Sequence, residues 1–172
     1  RPATGRAAGA PAPEGGAAGL VLAGIPLRLA VAVPRCKRLA ARVCAGLLPR
    51  LAFDSGIDAD ALSRDPAVCA AYRSDPLVHR VVTARWFVEY EAARAAALAD
   101  AGRVRCPVLL LHGGADTIAH PSGARQLAAA LQGAPVTLRV YPDARHELFT
   151  DPRCPEVHDD LARWLARHAL FS

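Results

Sequence analysis

Two residues of this chain have the type and spacing for acid–base chemistry, Asp116 and His146. Asp116 closes the run Pro-Val-Leu-Leu-Leu-His-Gly-Gly-Ala-Asp at 107–116, and His146 closes Tyr-Pro-Asp-Ala-Arg-His at 141–146. Each residue follows a predicted strand. An acid that accepts the imidazole Nδ1–H leaves Nε2 free to take a proton from a hydroxyl and return it to a leaving group. The pattern predicts the last two members of a Ser…Asp…His order.

Both residues also fit simpler explanations. Asp116 could cap the helix predicted from Ser122 or form an Asx turn, and a histidine in a loop is commonly a surface residue. Consecutive parallel strands place the two side chains next to each other, which favours the catalytic interpretation. His112, at a strand end, is predicted to be a buried core residue, and Ser122 to be a helix cap. No histidine spacing indicates a metal site, and no cofactor is predicted.

The serine of such a triad is not evident. None of the chain's serines lies in a Gly-x-Ser-x-Gly turn; they are Ser55, Ser63, Ser74, Ser122 and Ser172. The chain begins at Arg1 and contains no Met. We therefore expect it to be a fragment, or the product of a gene whose upstream part was lost or shifted in frame.

The elements that must position these residues alternate between strand and helix. Strands are predicted at 19–24, 108–112 and 136–141, and helices at 122–131 and 155–168. This alternation predicts a parallel α/β sheet with right-handed crossovers. Helices alone are predicted between the first two strands, at 27–51, 67–72 and 78–101, as expected of a lid. Residues 1–18 hold fourteen Ala, Gly or Pro and are predicted to be disordered or atypical.

Composition limits the class of partner. The net charge is +5, and the 20 arginines are scattered rather than clustered with aromatic residues, so nucleic-acid binding is not predicted. The five cysteines show no Cys-x-x-Cys spacing, which predicts reduced core thiols and a cytoplasmic location. No apolar run reaches about 18 residues, the length expected of a membrane span.

Several stretches resemble the α/β-hydrolases of the monoacylglycerol lipase and lysophospholipase group, whose domain is often called serine aminopeptidase-like. The resemblance covers roughly residues 13–170. Its segments are Gly-Leu-Val-Leu-Ala-Gly-Ile-Pro at 19–26, Leu-Pro-Arg-Leu-Ala at 48–52, Ile-Asp at 57–58, Leu-Ser-Arg-Asp at 62–65, Tyr-Arg-Ser-Asp-Pro-Leu-Val at 72–78, and the two runs at 107–116 and 141–147.

The resemblance implies a partial α/β-hydrolase fold, with residues 19–172 forming the C-terminal part of the domain, Asp116 as triad acid and His146 as base. Residues 27 to about 101 would be a lid over an acyl-binding channel, able to contact a membrane surface peripherally. The implied nucleophile and oxyanion hole lie at or before Arg1.

The expected function is a serine-type hydrolase of carboxylic esters, with a monoacylglycerol or lysophospholipid as the small-molecule substrate. The alternatives are a non-catalytic remnant and a peptidase-type α/β-hydrolase. Because the serine is missing, we expect residues 1–172 alone to be inactive. We also expect exposed apolar surface beside the strand at 19–24, where flanking strands are lacking.

Overall fold

The computed structural model describes residues 17–31, 33–152 and 155–168. The prediction of disorder for residues 1–18 falls almost wholly outside these ranges. The elements, in chain order, are β1 (Leu20–Ala23), α1 (Arg35–Leu47), β2 (Ala52–Asp54), α2 (Ala59–Leu62), α3 (Pro66–Ser74), β3 (Val81–Thr83), α4 (Ala84–Asp100), a 3₁₀ turn (Ala101–Arg103), β4 (Val108–Gly113), α5 (Ser122–Ala130), β5 (Val136–Tyr141), a second 3₁₀ turn (Leu148–Thr150) and α6 (Glu156–Arg167).

A three-stranded parallel sheet forms the centre of the fold, in the order β1-β4-β5. Its register pairs Leu20 with Val108 and Val108 with Val136. Every residue of the central strand β4 is buried. Parallel strands of this kind are covered on both faces of the sheet, which is why β4 can be a nearly continuous apolar run. The α/β class and the parallel strands are as predicted.

Alternate residues of β4 point to opposite faces of the sheet. Leu109 and Leu111 pack with Trp164 of α6 on one face, whereas Leu110 packs with Leu127 of α5 on the other. Burying a leucine completely stabilises the fold by about 1.5–3 kcal/mol. The sheet is therefore a rigid base for the loops that leave the carboxyl ends of its strands.

The insertion, residues 27–101, separates β1 from β4. It is largely helical, but β2 and β3 also pair in an antiparallel ribbon that the sequence did not predict. The predicted start of the long helix at residue 78 is wrong, because α4 begins at Ala84. The β-branched residues 81–83 favour extended backbone, and Thr83 caps α4 by accepting a hydrogen bond from the Trp86 amide at 3.1 Å.

The distribution of apolar and thiol side chains departs from two predictions. Residues 20–22 of β1 are half-buried, and the exposed large apolar side chains lie mainly on the insertion instead. Of the four described cysteines, all with free thiols, Cys69 is buried but Cys36 is exposed, so not all are core residues. No helix in the described ranges is long and apolar enough to cross a bilayer.

Candidate active site

The structure brings Asp116 and His146 into direct contact. His146 Nδ1 lies 2.8 Å from Asp116 Oδ2, a distance typical of a strong hydrogen bond to a carboxylate. Asp116 follows β4 and His146 follows β5, so the two loops leave the same edge of the sheet. The Asp116 side chain is fully buried and that of His146 is 23% exposed. The carboxylate is thus shielded from water, while part of the imidazole remains accessible.

The carboxylate of Asp116 divides its two oxygens between different tasks. Oδ1 accepts hydrogen bonds from the amides of Ile118 at 2.8 Å and Ala119 at 2.9 Å, which is an Asx-type turn. Oδ2 receives the His146 ring. The turn and the contact with His146 therefore occur together, although the sequence presented them as alternatives.

The pair changes the proton affinity of both residues. Burial alone raises the pKa of Asp116, but the hydrogen bonds from His146, Ala119 and Ile118 outweigh it and hold the pKa below its ordinary value. The hydrogen bond to Asp116 raises the pKa of His146, against the opposing effect of burial. A carboxylate that stays ionised and stabilises an imidazolium suits an acid–base pair.

Glycines allow the two loops to approach closely. A methyl group at Gly113 would overlap the carbonyl oxygens of Ala144 and Arg145, and one at Gly114 would lie 2.7 Å from Pro142 O. The Gly114 amide donates to Tyr141 O at 2.7 Å, which fixes this approach. The glycine pair therefore permits the loop after β4 to contact the loop after β5.

A third glycine lies directly against the imidazole. Gly24, at the end of β1, has φ +57°, a left-handed conformation that side chains disfavour. A methyl group there would lie 3.2 Å from His146 Cε1. All three strands of the sheet thus contribute to the surroundings of the pair.

His112 is buried, as predicted. Its Nε2 donates to Ala119 O at 3.0 Å, and the same nitrogen lies 3.5 Å from Asp116 Oδ2. Its Nδ1 has no hydrogen-bond partner within the described ranges. A contact with a carbonyl oxygen places a proton on Nε2, and the ring supports the loop that carries Asp116.

No serine in the described ranges is hydrogen-bonded to His146. The prediction that Ser122 caps α5 is wrong, because Ser122 is the first residue of the helix and makes no capping bond. Its hydroxyl instead contacts His120 Nδ1 at 2.8 Å and Arg28 at 3.2 Å. The hydroxyls of Ser55, Ser63 and Ser74 bond to backbone groups of their own segments.

Sequence reasoning missed two residues that hold the His146 loop, Arg145 and Asp151. Arg145 donates from its side chain to carbonyls of the insertion, and its amide donates to Asp151 Oδ2 at 3.0 Å. The available signal was the position of a long cationic side chain directly beside the predicted base. The acceptors are more than eighty residues away in the chain, so the sequence did not reveal them.

Known proteins resemble this chain over most of its length. Residues 5–153 match the family described as serine aminopeptidase, S33. The chain belongs to this family. It is 36% identical over 135 residues to a monoacylglycerol lipase of Mycolicibacterium smegmatis, an alignment that covers 74% of this chain and 46% of that protein. With the monoglyceride lipase of Mus musculus it shares 34% identity over 126 residues, or 73% and 41% of the two chains.

Solved structures show the same fold. The monoacylglycerol lipase of Paleococcus ferrophilus superposes with a TM-score of 0.77 at 31% identity, over 88% of this chain and 59% of that one. A soluble variant of the Saccharomyces cerevisiae monoglyceride lipase, in complex with a substrate analog, gives a TM-score of 0.72 at 27% identity, over 88% and 53%. This chain therefore has part of an α/β-hydrolase fold. It spans less than half the length of the two curated relatives named above.

Proposed function

We propose that this chain is the acid-and-base part of a serine-type hydrolase of carboxylic esters. The observation that carries the proposal is the 2.8 Å contact between His146 Nδ1 and the buried Asp116 carboxylate. Its support comes from relatives that are monoacylglycerol and monoglyceride lipases. The substrate class is a monoacylglycerol or a similar lipid ester, such as a lysophospholipid.

In the proposed reaction Asp116 accepts the Nδ1–H of His146 and orients the ring. Nε2 takes the proton of a serine hydroxyl as its oxygen attacks the ester carbonyl carbon, and then donates that proton to the departing alcohol. A water molecule next attacks the carbonyl carbon of the acyl-enzyme while Nε2 takes its proton. Nε2 then returns that proton to the serine oxygen, and the fatty acid is released. The raised pKa of His146 fits a base that must hold a proton transiently.

The serine is proposed to belong to the part of the relatives that this chain does not match. The hydroxyls of the described serines are bonded elsewhere, as shown above. Residues 1–172 alone are therefore expected to hydrolyse a short-chain aryl ester no faster than a buffer blank. Turnover by the chain alone that disappears in His146→Ala would contradict this, and Ser122 would then be the first nucleophile to test.

A chimera tests the proposed roles directly. Residues 19–172 would be joined to the N-terminal part of the Mycolicibacterium smegmatis monoacylglycerol lipase that the chain does not match. The chimera is expected to hydrolyse a monoacylglycerol. His146→Ala and Asp116→Asn are each expected to lower kcat by about 10⁴-fold, the loss typical of triad members. The measurement is glycerol release from a chimera whose circular dichroism shows that it is folded.

The matched control is His79→Ala, which removes an exposed histidine of the insertion. This variant is expected to keep full activity. A folded, active chimera that keeps its activity in His146→Ala would exclude His146 as the base.

A peptidase is the second candidate, because the matched family is described as a serine aminopeptidase. Peptide and ester hydrolysis would use the same acid and base. Parallel assays with an aminoacyl anilide and a monoacylglycerol separate the two substrate classes. We expect kcat/KM to be higher for the ester.

The insertion is proposed to be the lid over the acyl chain and to contact a membrane surface through α1. Leu39, Val43 and Leu47 lie four residues apart on one face of α1 and are 63%, 54% and 76% exposed. The helix also carries Arg35, Lys37, Arg38 and Arg42. Exposed apolar residues beside basic ones are typical of helices that lie in the interface of an anionic bilayer.

Vesicle sedimentation tests this contact. The chain is expected to sediment with vesicles of phosphatidylglycerol and phosphatidylcholine, and the triple change Leu39→Ser, Val43→Ser and Leu47→Ser is expected to abolish binding. Leu77→Ser is the control, because Leu77 is 82% exposed but lies outside α1. Equal binding by the triple variant would exclude α1 as the contact.

A further inference from the structure

The residues on both sides of His146 are bonded to one short segment of the insertion, residues 58–65. On one side, Arg145 Nη1 donates to Ser63 O at 3.0 Å and also to Asp60 O. On the other side, the Glu147 amide donates to Leu62 O at 2.9 Å. The base is therefore held between two attachments to the same segment.

That segment is itself firmly placed. Ala59, Leu62 and Ser63 are buried, and the Cys69 thiol donates to the carbonyls of Ala59 and Ser63, each at 3.3 Å. Asp58 caps α2 by accepting a hydrogen bond from the Asp60 amide at 3.1 Å. The last carbonyls of a helix lack partners within it, and here Arg145 and Glu147 supply those partners.

A third attachment joins the far end of the loop to the same segment. Asp151 is 4% exposed, and its Oδ2 accepts a hydrogen bond from the Arg145 amide at 3.0 Å. Arg64 Nη1 lies 3.6 Å from this oxygen, which is an ion pair rather than a hydrogen bond. Arg145 thus contacts the segment through its side chain and, by way of Asp151, through its backbone.

We propose that residues 58–65 act as a brace for the candidate active site and that Arg145 is the positioning residue that joins the brace to His146. Fixing the backbone of a loop residue costs conformational entropy, and the bonds to the brace offset this cost in the loop that carries the base. The catalytic meaning of the brace rests on the proposed function, whereas its structural role does not.

The proposal predicts a specific effect on the His146 ring. If Arg145 only contributed charge, replacing it by Met would remove a neighbouring cation and raise the pKa of His146. If Arg145 positions the ring, the same change loosens the contact with Asp116 and lowers the pKa. The two explanations therefore predict shifts of opposite sign. The acidic groups that act on His146, Asp116 and Glu147, are unchanged in this variant.

The experiment is an NMR titration of the His146 ring in residues 1–172. Asp116→Asn defines the midpoint expected when the contact is lost. Arg145→Met is expected to move the midpoint downward, over most of the interval between wild type and Asp116→Asn. Arg145→Lys, which keeps a charged donor, is expected to recover part of the shift. The matched control is Arg163→Met, because Arg163 is exposed on α6 and its side-chain bonds to described residues lie within that helix.

An unchanged or raised midpoint in folded Arg145→Met would overturn the proposal. Hydrogen exchange of the wild-type chain gives a test that needs no variant. The brace predicts that the Glu147 amide is protected to the same degree as the amides of α2, and free exchange at Glu147 would contradict it. Neither measurement depends on ester turnover, so an inactive chimera would refute the proposed function and leave the brace standing.

Discussion

Helix α1 and the brace belong to the same insertion but differ in how they are attached to the fold. Helix α1 is thirteen residues long and contains no buried residue. The brace contains the four-residue helix α2, and its Ala59, Leu62 and Ser63 are buried. Attachment to the sheet domain therefore depends on burial and bonded backbone groups rather than on helix length. The insertion therefore has one firmly attached segment and one peripheral helix.

The sequences of the two segments account for the difference. In α1 the apolar face of Leu39, Val43 and Leu47 remains exposed, and Pro34 at its start makes no side-chain cap. The brace has two capping acids, Asp58 before α2 and Asp65 before α3. A cap contributes about 1 kcal/mol, which matters most for a helix as short as α2.

Among the changes that test this difference, Asp151→Ala is expected to cause the largest loss in the free energy of unfolding. This change leaves Arg64 without its counterion and the Arg145 amide without its acceptor, so the free energy of unfolding should fall by about 3 kcal/mol or more. Urea denaturation provides the measurement. Asp143→Ala, which alters an exposed residue of the same loop, should change the value by less than about 0.5 kcal/mol. Similar losses in the two variants would argue against a firmly attached brace.

A paired truncation compares the two segments directly. Leu62→Ala removes a side chain that is 7% exposed, whereas Leu47→Ala removes one that is 76% exposed. We expect the first to lower the free energy of unfolding by about 2–3 kcal/mol and the second by no more than about 0.5 kcal/mol. If Leu47→Ala proved as costly as Leu62→Ala, α1 would have to be packed in solution against a surface that it does not contact here.

The smallest expected effect is the dependence of stability on pH that arises from the Asp116–His146 pair. Because the pKa of His146 is raised in the folded state, its contribution is complete below the ordinary value of 6.5 and is lost as the pH rises through the folded value. The pKa of Asp116 is lowered, so its contribution is present above the ordinary value of 3.8 and is lost as the pH falls through the folded value. Stability from the pair is therefore greatest between these two limits.

Thermal unfolding between about pH 5 and 9, a range that brackets the ordinary histidine pKa, measures how the contribution of His146 to stability is lost as the pH rises. The Tm difference between wild type and His146→Gln is expected to shrink as the pH rises. His79→Gln serves as the control, and its difference from wild type should stay constant. A constant difference for His146→Gln would mean that the ring does not gain its proton affinity from Asp116.

The parts of the fold that the sequence predicted are those with strong local patterns. The apolar run of β4 and its glycine pair identified the central strand, and the following alternation identified α5, β5 and α6. The contact between Asp116 and His146 could be predicted because both residues follow neighbouring parallel strands. The sequence also indicated that Asp116 could form an Asx turn. The structure shows that one carboxylate both forms this turn and contacts His146.

The parts that the sequence missed depend on contacts between distant segments. Strands β2 and β3 have three residues each, too few for an alternating pattern to be recognised. Arg145 reaches carbonyls 82 and 85 residues away. A backbone carbonyl carries no side-chain signature, so the brace becomes evident only when the chain is folded.

The two oxygens of Asp116 link local folding to assembly of the pair. The same carboxylate orders the amides of Ile118 and Ala119 and receives the His146 ring. Unravelling of the turn would therefore free the carboxylate and release the imidazole in one cooperative opening event. The protection of these two amides against hydrogen exchange should then report the free energy of opening of the site, which makes them internal reporters of the fraction of molecules in which the pair is apart.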